Sequence, residues 1–228
     1  MSKGIFITGT GTDVGKTFVT ALITRKLRQH GFNTGYYKAA LSGAEYKNGK
    51  LVAGDADYVC RISGLDKDPN SLVSYIYETA VSPHLAAQIE NKPVEMSKVL
   101  SDFEKMKKQF DFITVEGSGG IICPIRMDEQ TIMLTDIIKS LKLDALLVAS
   151  AALGTINSTV LTVEYARQQG IRLRGIILNG YEPDNFLHSD NKKQIQHFTG
   201  IPVVACVGQN STDLELDIKR LADLYKEI

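Results

Sequence analysis

The chain has 228 residues, of which 43% are hydrophobic, and its 26 basic residues are balanced by 26 acidic ones. This composition is sufficient for one α/β domain with a substantial core, which we expect to span residues 1–228. Without a positive excess, neither nucleic acid nor an anionic membrane is an expected partner, and a small-molecule substrate is favoured. Scattered cysteines without metal-type spacing, and no apolar run long enough to span a bilayer, favour a reduced cytoplasmic protein.

The chain opens with a β-branched run over residues 4–8, a glycine-rich loop over residues 9–17 and a helical pattern over residues 18–27. Strand, glycine loop and helix in this order are typical of a phosphate-binding loop, in which backbone N–H groups surround an anion. The first and last glycines are separated by five residues, one more than usual. Lys16 would reach nucleotide phosphates, and Thr17 would offer its hydroxyl to magnesium.

Strands and helices alternate along the rest of the chain. We predict strands over residues 34–38, 75–77, 111–116, 144–149, 173–179 and 203–207. We predict helices over residues 55–62, 82–90, 96–108, 135–141, 156–169, 191–198 and 213–225. Residues 39–53 are expected to form a long polar loop. The fold class is therefore expected to be α/β, a P-loop NTPase-type, mostly parallel β-sheet with helices on both faces and ligands at one sheet edge.

Polar residues follow several strands at that edge. Lys38 ends the second strand, and a cation beside a phosphate loop can neutralise charge on a transferring phosphoryl group. Glu116 ends a buried apolar strand, where an acidic residue commonly holds the metal of a phosphate-loop protein. Asp55 fits either a second metal carboxylate or a plain helix N-cap. Asn179 begins a turn, and its amide can also read the edge of a base.

An ordered set of motifs resembles the dethiobiotin synthetase family almost from end to end. The motifs cover residues 8–17, 37–43, 54–56, 82–84, 115–120, 154–157 and 178–180. Ala39, Ser118 and Gly180 stand where that family usually has proline, alanine and aspartate. A single glycine loop is generic, whereas this ordered set is specific.

The resemblance implies an ATP- and Mg²⁺-dependent cyclo-ligase of biotin biosynthesis. Its reaction would convert 7,8-diaminopelargonic acid and CO₂ into dethiobiotin through a carbamate and a carbamic–phosphoric anhydride. Lys16 and Lys38 would be catalytic, and Thr17, Asp55 and Glu116 would hold magnesium. The implied substrate-binding residues are Thr12, Ser42, Leu153, Gly154 and Asn157. The implied ATP-binding residues are Asp13, Val14, Gly15, Lys16, Thr17, Phe18, Asp55, Glu116, Gly117, Ser118, Gly119, Asn179, Gly180, Gly208, Gln209 and Asn210. The resemblance further implies a homodimer with the substrate site at the subunit interface, so that residues 153–157 would act in trans.

Two alternatives belong to other functional classes. A ParA/MinD-like nucleotide-dependent switch ATPase often carries an additional lysine early in its phosphate loop, and residues 10–12 contain none. Such proteins also often have basic or amphipathic surfaces, which the balanced charge does not indicate. A small metabolite kinase remains open, because Lys38 and Ser42 favour the synthetase only through the family resemblance.

Overall fold

The computed structural model describes residues 1–228, in which strands and helices alternate. The strands are β1 (Lys3–Gly9), β2 (Thr34–Leu41), β3 (Glu45–Lys47), β4 (Lys50–Val52), β5 (Val73–Ile76), β6 (Phe112–Glu116), β7 (Pro124–Met127), β8 (Thr131–Met133), β9 (Ala145–Ser150), β10 (Leu173–Asn179), β11 (Val203–Val207) and β12 (Lys226–Glu227). The α-helices are α1 (Lys16–Gln29), α2 (Gly54–Ser63), α3 (Pro83–Ile89), α4 (Met96–Lys107), α5 (Leu134–Ser140), α6 (Thr155–Gln168), α7 (Phe186–Thr199) and α8 (Ile218–Asp223). None of the helices combines the length and apolarity needed to cross a bilayer.

An eight-stranded sheet forms the centre of the fold. Seven strands run parallel in the order β11-β10-β9-β1-β6-β2-β5, and β12 pairs antiparallel with β1. The central strand β1 and its neighbour β6 are almost entirely buried. Such strands are apolar along their whole length because helices cover both faces of a parallel sheet. The predicted α/β class with a mostly parallel sheet is confirmed.

The register of the central strands sets the position of the functional edge. Glu116 at the end of β6 is paired with Ile7 of β1 on one side and with Lys38 of β2 on the other. Because the strands are parallel, the β1–α1 loop and the residues that follow β6 leave the sheet at the same edge. The topology therefore brings the glycine-rich loop, Lys38 and Glu116 together.

The prediction of a long irregular loop over residues 39–53 is wrong. Strand β2 continues to Leu41, and β3 and β4 form an antiparallel hairpin. Asn48 and Gly49 turn the hairpin with φ values of 51° and 76°. These positive values at both central residues are those of a type I′ turn, which Asn-Gly favours. Lys38 is consequently inside its strand, not at its end.

The predicted helix over residues 213–225 is also wrong for most of its length. Only Ile218–Asp223 is helical, and the chain then forms β12. Leu214 and Leu216 are buried two residues apart, which suits an extended segment on the core better than a helix. Asp217 caps the helix by accepting hydrogen bonds from the backbone N–H groups of Lys219 and Arg220.

Other boundaries differ by a few residues. Helix α7 begins at Phe186, five residues before the predicted start, because Asn185 caps it with its side chain. The predicted strand at 75–77 is β5, which begins earlier after a 3₁₀ turn at Pro69–Leu72. The antiparallel pair β7 and β8 was not predicted. Both of its strands are only three or four residues long, too short for a clear periodic pattern.

A chain of hydrogen bonds joins α4 to strands β5 and β2. The Asp102 carboxylate accepts from Ser74 of β5 at 2.8 Å and from Lys105 at 2.7 Å, and it also pairs with Lys98. Ser74 in turn contacts the buried hydroxyl of Tyr37 at 2.8 Å. Partial burial alone would raise the pKa of Asp102, but the hydrogen bonds from Lys105, Lys98 and Ser74 outweigh it and lower the pKa to about 2.

We predict that Asp102→Asn lowers the free energy of unfolding at pH 7 by about 1–2 kcal/mol, a figure reduced for the solvent exposure of both lysines. The folded-state pKa lies below the unfolded value of about 3.9, so the carboxylate stabilises fully above that value and less as the pH falls toward 2. Urea unfolding between pH 7 and pH 3 should show the difference shrinking as acid is added. Glu104→Gln is the matched control, because Glu104 is 60% exposed and pairs only with Lys107. An equal loss at every pH would contradict this electrostatic account.

Candidate active site

The glycine-rich loop leaves the first turn of α1 open toward the sheet edge. Gly15 is the N-cap of this helix with a φ of 92°, and no side chain caps the helix. The backbone N–H groups of the first turn are therefore available to an anion, which the positive end of the helix also favours. The Lys16 ammonium folds back over the loop and donates to the Gly11 carbonyl at 2.8 Å. This is the arrangement of a phosphate-binding loop.

Gly15 is required by a close contact as well as by its backbone conformation. A Cβ at this position would lie 2.0 Å from Nδ2 of Asn179, at the end of β10. The same amide nitrogen donates to the Val14 carbonyl at 3.1 Å. Asn179 thus fixes the loop from the neighbouring part of the sheet, and only glycine leaves it room.

A buried cluster of opposite charges lies below the loop. The Lys38 Nζ lies 2.6 Å from Oδ2 of Asp55 and 2.9 Å from Oε1 of Glu116, and it also donates to the Gly117 carbonyl at 3.2 Å. The Thr17 hydroxyl donates to the same Glu116 Oε1 at 2.8 Å. Lys38 and Glu116 are only 4% and 2% exposed. Charges buried to this extent are stable only when they are paired and hydrogen-bonded, as they are here.

The cluster shifts the pKa values of its members in different directions. Burial, followed by repulsion from Lys38, lowers the pKa of Lys16. Burial opposes the charge of Lys38, but Glu116 and Asp55 outweigh it and raise the Lys38 pKa above its ordinary value. Burial would likewise raise the pKa of Asp55, but Lys38 outweighs it and lowers that pKa. At neutral pH Lys38 and Asp55 are therefore a charged pair.

The contacts of Asp55 distinguish between a metal carboxylate and a plain helix N-cap. The N-cap of α2 is Ala53, and no side chain makes a cap hydrogen bond there. The Asp55 carboxylate instead turns toward Lys38. A plain N-cap role is therefore wrong, and Asp55 belongs to the charge cluster.

The cluster offers a donor set suited to magnesium. Thr17, Asp55 and Glu116 supply only oxygen atoms, and both carboxylates already converge on one positive charge, the Lys38 ammonium. Mg²⁺ prefers oxygen ligands and usually takes one or two carboxylates together with phosphate oxygens and water. The residues present therefore fit this ion beside a bound phosphate group.

The loop and the cluster border a cavity of about 680 Å³. Its lining residues are Thr12, Asp13, Gly15, Lys16, Thr17, Phe18, Lys38, Leu41, Ser42, Gly54, Asp55, Tyr58, Glu116, Ser118 and Gly119. A second cavity of about 530 Å³ shares Thr12, Ser42, Ser118 and Gly119 with it and continues toward Val81 and Ile122. A third, of about 260 Å³, shares Phe18 and Tyr58 and is closed by residues 209–212. The second and third cavities each adjoin the central cavity through these shared residues.

Most of the predicted site residues meet in the central cavity. Of those outside it, Gln209 and Asn210 line the third cavity, while Val14, Gly117 and Asn179 contact the loop or Lys38. Gly180 follows β10, and the Gly208 N–H is bonded to Ser211. Leu153, Gly154 and Asn157, at the start of α6, line neither the central cavity nor its two neighbours and are exposed.

Three side chains of the site were not predicted. Leu41 and Tyr58 line the central cavity, and the Tyr36 hydroxyl donates to Oε2 of Glu116 at 3.2 Å. Burial, then the Glu116 carboxylate, raises the Tyr36 pKa well above its ordinary value, so the phenol keeps its proton. Strand periodicity could have indicated Tyr36, because residues two apart share a face and Lys38 follows it by two. Tyr58, one turn after Asp55, could have been found in the same way.

Together, the parallel sheet and the phosphate loop give the chain a fold of the P-loop NTPase type. A family model described as an AAA domain matches residues 3–214. The septum site-determining protein MinD from Pyrococcus horikoshii, solved with Mg-ADP, is 18% identical, with a TM-score of 0.56 over 92% of this chain and 82% of its own. A ParA family ATPase from Chlorobium tepidum is 15% identical, with a TM-score of 0.56 over 92% and 84%. These likenesses show the shared fold.

Relatives that align over all or nearly all of the chain identify its family. ATP-dependent dethiobiotin synthetase BioD from Clostridium botulinum strain 657 / Type Ba4 is 54% identical over 228 residues, all of both chains. BioD from C. botulinum strain Eklund 17B / Type B is 51% identical over 225 residues, 99% of each. The chain therefore belongs to the ATP-dependent dethiobiotin synthetase family and is an enzyme of the ligase class. The predicted family resemblance is confirmed.

We predict that Gly15→Ala weakens ADP binding by at least about tenfold, because the added Cβ collides with Asn179 and L-residues are strained at this φ. Titration with a fluorescent ADP analogue measures the effect. Gly11→Ala is the matched control in the same loop, since a Cβ there meets nothing within 4 Å and its carbonyl remains for Lys16. Equal losses in both variants would show that the Asn179 contact is unimportant.

Proposed function

We propose that this enzyme uses ATP to close a cyclic urea on 7,8-diaminopelargonic acid (7,8-diaminononanoate) with CO₂, releasing dethiobiotin, ADP and phosphate. The observation that carries the proposal is that Lys16, Lys38, Thr12 and Ser42 line one cavity beside the phosphate loop. This arrangement supplies a nucleotide site and a second polar site in direct contact. The relatives, which are named ATP-dependent dethiobiotin synthetases, support the same reaction.

The reaction proceeds in three steps. One amine of the substrate adds to CO₂ and loses a proton, giving a carbamate. A carbamate oxygen attacks the γ-phosphorus of ATP, and the bond to the bridging oxygen of ADP breaks, which gives a carbamic–phosphoric anhydride. The second amine attacks the carbonyl carbon, loses a proton and expels phosphate as the ring closes. The protein's main task is to hold carbamate and phosphate in line and to offset their negative charge.

The lysines of the cavity are suited to that task. Lys16 projects from the helix that receives the phosphates, and its ammonium is held above the loop by Gly11. Lys38 is fixed by two carboxylates and a carbonyl, so it is oriented in advance and needs little reorganisation as charge develops. We assign Lys16 to the phosphates and the carbamate, and Lys38 to the carbamate and the migrating phosphoryl group.

Substrate and metal use the surrounding polar groups. Thr12 and Ser42 lie on the shared border of the two larger cavities, where the reacting end of the diamine would meet the nucleotide. Thr17, Asp55 and Glu116 would hold Mg²⁺, which supplies positive charge against the ATP phosphates. The remaining lining residues, with the loop at residues 208–210 and Asn179, would enclose the nucleotide.

We further infer that the chain is a single domain over residues 1–228 and forms a cytoplasmic homodimer. The exposed positions of Leu153, Gly154 and Asn157, outside the central cavity and its two neighbours, support a role in a partner's site. Leu153 is 85% exposed beside the N-terminus of α6, a helix end that no side chain caps. Such an end suits the carboxylate of the substrate.

The test of the reaction is ADP release from Mg-ATP and bicarbonate with and without the diamine, with dethiobiotin identified by mass. We expect one dethiobiotin per ADP, and about a thousandfold loss in Lys16→Ala and Lys38→Ala because charge stabilisation is removed. Lys47→Ala is the control, since this exposed lysine on the nearby hairpin pairs only with Asp57. ATP hydrolysis at the same rate with and without the diamine, and without formation of dethiobiotin, would refute the proposal and favour a ParA/MinD-like switch.

Base selectivity is expected to follow from the orientation of Asn179. Its Nδ2 is engaged by Val14, whereas its buried Oδ1 has no hydrogen-bond partner in the protein. An acceptor opposite position 6 of a purine or position 4 of a pyrimidine would match the amino group of adenine or cytosine and oppose the carbonyl of guanine or uracil, and we assign Oδ1 to this place. We predict kcat/KM values for ATP and CTP at least about tenfold above those for GTP and UTP. Asn179→Ala should reduce this ratio, and a wild-type enzyme that uses GTP as well as ATP would contradict the assignment.

A further inference from the structure

Tyr36 lies beneath the charge cluster but outside the cavity. It is fully buried in β2, two residues before Lys38, and therefore shares a face of the sheet with it. Its hydroxyl donates to Oε2 of Glu116 at 3.2 Å. Strands β2 and β6 pair so that Lys38 lies directly opposite Glu116. Tyr36, two residues earlier on β2, therefore approaches the Glu116 carboxylate diagonally across the pair. Tyr36 has no direct access to a ligand in the cavity.

The two oxygens of the Glu116 carboxylate consequently have different surroundings. Oε1 faces the site, where it accepts from Thr17 at 2.8 Å and from Lys38 at 2.9 Å. Oε2 faces the interior and accepts from Tyr36. Since Glu116 is only 2% exposed, water is not at hand to replace that partner. The phenol therefore determines which oxygen the cluster presents.

We propose that Tyr36 is a positioning residue that restrains Glu116 to present a single oxygen to a divalent cation, and so favours Mg²⁺ over Ca²⁺. This inference rests on the magnesium assignment of the proposed function. Mg²⁺ requires near-octahedral coordination by few protein oxygens, whereas the larger Ca²⁺ takes six to eight and readily accepts both oxygens of a carboxylate. A carboxylate whose second oxygen is occupied suits the smaller ion. A carboxylate free to rotate would suit the larger one.

The test is the metal dependence of nucleotide binding in Tyr36→Phe, which retains the buried ring and removes only the hydroxyl. Mg²⁺ and Ca²⁺ are titrated separately against protein mixed with a fluorescent ADP analogue. We expect the apparent Kd for Mg²⁺ to rise about three- to tenfold, the net effect of losing one hydrogen bond. The Kd for Ca²⁺ should stay constant or fall, so that the preference for Mg²⁺ declines at least about threefold.

Tyr37→Phe is the matched control. Tyr37 is the adjacent residue of the same strand and equally buried, but its hydroxyl contacts Ser74 and the Val99 carbonyl on the other face. Its loss should lower the Tm without moving the ratio of the two metal affinities. A Tyr36→Phe protein with the wild-type ratio, or one shifted no more than Tyr37→Phe, overturns the inference.

The wild-type protein offers a second measurement that does not depend on how the variant folds. It should bind Mg²⁺ at least about tenfold more tightly than Ca²⁺ in the same titration, and a ratio near one overturns the inference. No diamine is present in these titrations. If the ratio shifts as expected but no dethiobiotin forms, only the proposed reaction fails. If dethiobiotin forms and the ratio does not shift, only the role of Tyr36 fails.

Discussion

The ion cluster of buried Lys38 and Glu116 with half-buried Asp55 is the interaction on which the functional edge depends. Lys38 is almost fully buried, and its ammonium depends on the carboxylates of Glu116 and Asp55 because an unpaired charge in the interior costs several kcal/mol. The cluster ties three elements together: Lys38 comes from β2, Glu116 from β6 and Asp55 from α2. Thr17 adds α1 through its bond to Glu116. Any ligand that alters the balance of charge here therefore acts on four elements at once.

The open N-terminus of α1 provides the complementary half of the site. The cluster sets two carboxylates against one ammonium, while the helix end above it lacks a capping side chain and favours an anion. An anion bound there would bring negative charge close to Lys16, whose own charge is disfavoured by burial and by Lys38. A cation accompanying that anion would meet carboxylates already arranged around a positive group. The site is thus prepared for a phosphate and a cation together.

Fold and activity are separate properties in this protein. A septum site-determining protein and a ParA family ATPase, 15–18% identical to it, have the same fold. The sheet therefore does not determine the chemistry, which belongs to the side chains placed at its edge. The ligase class follows from relatives more than half identical over all or nearly all of the chain. What the geometry adds is a physical account of how those side chains are held.

The sequence by itself determined the alternation of apolar strands and helices, the phosphate loop at Gly15 and the carboxylate at the end of β6, because each depends on a local pattern. The interior place of Lys38 was decided only by strand pairing, and the partner of Asp55 only by the packing of α2 beside β2. Strand alternation places Tyr36 on the same face as Lys38, but its hydrogen bond to Glu116, 80 positions away, was decided only by the tertiary structure. The hairpin has a local signal in Asn48-Gly49 that was not used, whereas the extended segment before α8 is set by the packing of Leu214 and Leu216 on the core.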